Sequence, residues 1–260
     1  MCCFSRPVES VSSTRIFARL DEEAGVQFLA YQMNFSAAED LAMILPIPTD
    51  PEKGEGAVEF INLEESPDFF AHLKRGFPDR RPRAAAAGSL SLSEDSKAVV
   101  LEVHQVGSFE ASFVPTVNDF SRLDARFRLP DDAWDSLPTY QKFGFAVFKL
   151  KSTDEEIHPM ALKFHPAAAK SIFFPTVHIH DGEVHKKAEF DHTLYLQGAP
   201  QSMTWGFGLR NRWSESEGLA RTFINPAKSE GLVLGEEHVY KLTLDGDFAN
   251  KDIRVTPNLT

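Results

Sequence analysis

The run Thr176-Val177-His178-Ile179-His180-Asp181-Gly182-Glu183-Val184-His185 gathers three imidazoles and a carboxylate in one short stretch. Asp-Gly between alternating apolar and polar residues is a two-residue hairpin signal. With Asp181-Gly182 as the turn, His180 pairs with Glu183 and His178 with His185. Directly paired residues point to one face, so His178, His180, Glu183 and His185 share a face while Ile179 and Val184 take the other. A strand rises about 3.3 Å per residue, so His-x-His sets two imidazoles about 7 Å apart at Cα on one side, a span that a metal can bridge. Three imidazoles and a carboxylate suffice as the inner sphere of zinc, copper or non-haem iron. The expected function is therefore a mononuclear transition-metal-binding protein, specifically a copper or iron oxidoreductase. His178, His180 and His185 would be its ligands, and Glu183 a fourth ligand or proton acceptor.

Cys2 and Cys3 are the two cysteines of the chain. Adjacent residues cannot reach normal disulfide geometry, so both are expected as free thiols. Thiolates are soft ligands and strong nucleophiles, which makes Cys2 and Cys3 candidates to complete a mixed Cys/His metal site. A second reading uses Cys2 alone as a catalytic residue. Loss of Met1 would leave Cys2 at the terminus, where its own α-amine serves as base, the arrangement of N-terminal-nucleophile amidohydrolases. Arg19 and Asp21 stand at a distance from Cys2 similar to that in the penicillin-acylase and bile-salt-hydrolase branch of that superfamily. A third reading is a non-catalytic ligand- or partner-binding β protein.

The remaining chemistry-bearing residues are less ordered in pattern. His192 has the opposite strand parity to His185 and faces away from it unless a bulge intervenes. His158 and His165 flank a strand as core or rim residues, and His104 alternates with hydrophobic neighbours. Trp205-Gly206-Phe207-Gly208 and Trp213 read either as an aromatic groove or as core and turn. The chain has no Gly-x-Ser-x-Gly elbow and no phosphate-cradling glycine loop or dinucleotide fingerprint. Nucleotide chemistry is not expected.

Period-two alternation rich in β-branched and aromatic residues dominates the elements that must position these groups. Strands are predicted over 14–19 and 26–35, joined as a hairpin through Asp21-Glu22-Glu23-Ala24-Gly25, and over 41–47 as a buried strand that leaves the sheet at Pro46 and Pro48. Further strands are predicted at 98–106, 108–114, 143–151, 160–164, 172–179, 192–197 and 238–244. Two helices are predicted, 66–75 with Ser66 as N-cap and Pro67 at the first position, and 131–143, interrupted by Pro138. The fold class is α+β: a predominantly antiparallel β-sheet with a few short helices. One β-rich domain spans 1–260, and a flexible insertion at 78–97 divides it into two halves.

Composition narrows the partners. With 260 residues, 42% hydrophobic content and 22 phenylalanines, the chain can bury a full core. No stretch approaches the roughly 20 apolar residues that cross a bilayer, and Met1-Cys2-Cys3-Phe4-Ser5-Arg6-Pro7 has no signal-peptide h-region. The expectation is a cytoplasmic protein with no membrane partner. A net charge of -11 repels phosphate backbones, so no nucleic-acid partner is expected and a small-molecule substrate or ligand is. Lys74, Arg75, Arg80, Arg81 and Arg83 form a local basic exception, read as a solvated loop.

Several phrases occur together and in order: Cys2-Cys3-Phe4, Tyr31-Gln32-Met33-Asn34-Phe35, Ala38-Glu39-Asp40 running into Leu41 to Pro48, and Gln105-Val106-Gly107-Ser108-Phe109-Glu110. Phe127-Arg128-Leu129-Pro130, Phe143 to Leu150, and His158 to Phe164 continue the series. Together they resemble an uncharacterised bacterial domain family whose exported members begin Cys-Gly-Gly-Phe after signal cleavage. The resemblance covers roughly residues 2–180. It implies a shared fold and no activity, and the chain departs from it in having Cys-Cys at the start and no signal peptide. The His-x-His also resembles that of cupin metal sites, although the carboxylate comes one residue early.

Overall fold

A computed structural model describes residues 2–78, 104–106, 109–129, 134, 137–151, 158–168, 170–179, 185–198, 203–205 and 213–257. The strands are β1 (Cys2–Phe4), β2 (Ser10–Asp21), β3 (Val26–Ser36), β4 (Leu41–Ile47), β5 (Val58–Ile61), β6 (His104–Val106), β7 (Phe109–Val114) and β8 (Gly144–Leu150). They continue with β9 (Met160–Phe164), β10 (Ile172–Phe174), β11 (His178–Ile179), β12 (Lys187–Gln197), β13 (Met203–Trp205), β14 (Ser214–Glu215), β15 (Tyr240–Ala249) and β16 (Ile253–Pro257). One α-helix, α1 (Phe69–Arg75), and several 3-10 turns connect them. A six-stranded sheet runs β11-β1-β4-β8-β7-β6, a seven-stranded sheet β14-β15-β12-β2-β3-β9-β5, and a three-stranded sheet β10-β16-β13.

Alternation explains how the two large sheets meet. In β4, Leu41, Met43, Leu45 and Ile47 join the same buried cluster as Leu29, Tyr31 and Met33 of β3 and Leu194 and Leu196 of β12. The sheets therefore pack face to face over a shared apolar layer. The intervening residues turn outward, and they too are covered. Ala42 and Ile44 of β4 pack with Phe120, Trp134, Leu137 and Tyr140 of the segment between β7 and β8. Phe17, Ala30 and Tyr195 pack under Phe69, Phe70 and Leu73 of α1 and under Ala220 to Val233. With both faces buried, a strand reads as a continuous apolar run, as in β4, all of whose residues are buried.

The β2–β3 hairpin forms over the expected turn. β4 spans the expected 41–47 and is buried throughout, and it remains paired through Pro46, which lies opposite Phe145 of β8. β1 is short and ends its pairing at Ile44, so the proline lies where one edge of β4 has no described neighbour and needs no ladder N–H on that side. The predicted helix 66–75 begins later, at Phe69. Of the predicted helix 131–143, the described part holds a 3-10 turn, Pro138–Tyr140, with the proline at its first turn. Beyond Pro78, the expected insertion lies outside the described residues. No described helix is long and apolar enough to cross a membrane.

Candidate functional site

β11, the first arm of the expected histidine hairpin, and β12, the strand that begins after its second arm, belong to different sheets. β11 pairs in parallel with β1, Cys2 opposite His178 and Cys3 opposite Ile179, whereas β12 lies between β15 and β2 in the other large sheet. The turn residues Asp181 and Gly182, with His180 and Glu183, lie outside the described residues. His185 precedes β12, and its carbonyl is tied to that of His178 through one amide: Asn250 Nδ2 donates to His178 O at 2.9 Å and to His185 O at 3.0 Å. Asn250 Oδ1 also accepts from His178 N at 2.7 Å. The two stretches thus meet through Asn250 among the described residues.

His178 meets another imidazole. Its Nε2 stands 3.0 Å from Nε2 of His192, the rings stacking at 4.6 Å between centroids. Phe190 closes the cluster at 4.5 Å from His178 and 5.0 Å from His192. His192 is on the inward face of β12, with Phe190, Leu194 and Leu196, and is 1% exposed. Its parity, opposite to His185, is what sends it into the sandwich and across to the facing sheet. At 3.0 Å one ring donates an N–H and the other accepts, so the pair shares a single proton.

Burial holds His192 below the ordinary histidine value, although Asp191 pulls it upward. Nδ1 of His192 lies 3.7 Å from Asp191 Oδ1, too far for a hydrogen bond. Burial pushes the Asp191 carboxyl up, but His192 and the N–H groups of Ser13 and Thr14 outweigh it and hold the group below the usual carboxylate range. Those N–H groups are free for Asp191 because β2 bulges between Ser12 and Arg15, with Ser13 at φ 53°.

This geometry overturns the metal reading. Among the described residues no group of three or more His, Cys, Asp or Glu side chains is placed to hold a metal ion. Of the proposed ligands, His178 is engaged with His192 and His185 is held through its carbonyl. His180 and Glu183 lie outside the described residues. Cys3 is fully buried on the opposite face of the β1–β11 ladder, among Ala42, Ile44 and Ile179, and of Cys2 only the backbone register is described. The copper or iron oxidoreductase built on His178, His180, His185, Glu183, Cys2 and Cys3 is withdrawn with that geometry.

Other singled-out residues resolve into structure. Arg19, compared above with an amidohydrolase arginine, is buried and donates to Leu232 O at 2.9 Å and Gly231 O at 2.6 Å, with Asp21 3.5 Å away. Burial lowers its pKa against the opposing pull of Asp21. His165 Nδ1 is 3.3 Å from Gly25 O, and His158 Nδ1 is 3.0 Å from Pro159 O. Burial holds His158 below the ordinary value. Trp213 packs on Phe174 at 6.1 Å, against the sandwich core.

The open site lies elsewhere. The end of α1 and the turns following β14 enclose a groove of ≈ 610 Å³, with His72, Arg75 and Arg221 on its walls and Phe223, Ile224 and Pro226 among its lining. Its shape follows from close approach. A Cβ at Gly76 would stand 2.7 Å from the Phe223 ring, and one at Gly218 2.7 Å from Thr222 Oγ1. Backbone bonds fix the walls: Glu217 N donates to Gly76 O at 2.9 Å, Arg221 N to Gly235 O at 3.0 Å and Ile224 N to Ala220 O at 3.0 Å. Arg221 pairs with Glu236, whereas Arg75 is exposed with no carboxylate partner among the described residues. A second groove, of ≈ 730 Å³, runs along β5 and is lined by Glu59, Glu64, Glu65 and Glu230 with Lys163. The sequence singled out Arg75 as part of a basic run. His72 and Arg221 carried no signal, since only the packing of α1 on the 217–226 segment makes them neighbours.

A β-rich protein with a closed sandwich interior and open polar grooves is the class this geometry defines. No family model matches the chain, and no curated protein matches it. Among solved structures it is similar to baculovirus P35, at 13% identity and a TM-score of 0.49, over 96% of this chain and 97% of that one. It is also similar to a caspase-8/P35 complex, at 14% identity and 0.48, over 95% and 96%. A mutated baculovirus P35 after caspase cleavage is similar at 12% identity and 0.43, over 95% and 98%.

Proposed function

We propose that this chain is a non-catalytic, protein-binding β protein whose docking site is the groove between α1 and the 217–226 segment. The groove itself carries the reading: a solvent-open channel with apolar residues in its lining and polar walls, drawn from two separate parts of the chain and joined by backbone hydrogen bonds. Small-molecule sites enclose most of their ligand in apolar walls, whereas an open, pre-formed channel suits a segment of another protein. The groups with reactive chemistry point the other way, with Cys3 and His192 closed inside the fold.

The test places a photo-activatable phenylalanine analogue at Thr222, in the groove, or at Ser10, exposed on β2. Illumination of the full chain in cells should give a discrete protein adduct from Thr222 and none from Ser10. No adduct at Thr222, or equal adducts at both sites, overturns the reading.

A further inference from the structure

We draw no further inference here: the strongest candidate, the groove along β5 lined by Glu59, Glu64, Glu65 and Glu230, is a cluster of carboxylates beside Lys163 that no second feature among the described residues ties to a ligand.

Discussion

His178 and His192 come from facing sheets and meet Nε2 to Nε2 at 3.0 Å inside the sandwich. The contact links the two sheets, since His178 lies on the short strand β11, which pairs with β1 and is bonded by Asn250. It also makes stability depend on pH. Burial lowers the pKa of His192 in the folded chain, while an unfolded imidazole takes its proton near pH ~6.5. Below that value the unfolded state binds the extra proton first. Stability is therefore at its full value above about pH 6.5 and erodes as pH falls below it, toward the lowered folded pKa. Urea midpoints should fall between about pH 7.5 and about pH 5.5, and less steeply in His192→Gln, which keeps a polar group but cannot titrate. An identical slope in that variant would falsify the linkage.

Asn250 should matter more than an ordinary surface-loop residue. Its side chain makes three bonds, at 2.7, 2.9 and 3.0 Å, that tie His178 to His185. At about 1 kcal/mol net per bond, Asn250→Ala should cost roughly 2 to 4 kcal/mol in urea unfolding. A loss below about 0.5 kcal/mol would show that solvent replaces all three.

Cys3 should behave as a core residue. It is fully buried in an apolar cluster, so in a Cys2→Ala background an alkylating reagent should leave the native chain unlabelled and modify it once urea unfolds it. Cys3→Ser should cost about 1 to 3 kcal/mol, from burying a hydroxyl. Rapid labelling of the native chain would contradict the described packing of β1.

Arg19 is a structural cation. It donates to Leu232 O and Gly231 O and lies over the Phe28 ring at 4.2 Å. Arg19→Met leaves those carbonyls without their donor and should cost about 2 to 4 kcal/mol. Arg19→Lys should recover only part of it, since an ammonium cannot reproduce the forked geometry. Equal melting temperatures for Arg19→Lys and the parent chain would count against this role.

What the sequence determined by itself was local. The hairpin of β2 and β3 was legible because its turn residues and its alternation agree, and β9 matched residue for residue because a short apolar run has few alternatives. The opposite parity of His192 and His185 was legible too, and the structure turns the His192 face inward with Phe190, Leu194 and Leu196. Tertiary structure decided the rest. The Asp-Gly turn of the His-x-His run lies outside the described residues, and what local spacing could not show is that β11 pairs with β1, far away in sequence, because strand pairing is settled by which sheet edge and which apolar face are available. Pro46 stays in its strand, paired with Phe145 of β8, where the other edge of β4 has no described neighbour. The groove beside α1 was invisible for the same reason: His72, Arg75 and Arg221 become neighbours only when α1 lies down on the 217–226 segment over Phe69, Phe70 and Ile224. Spacing along a chain specifies which faces residues share within one element, and the burial of apolar surface then chooses which elements meet.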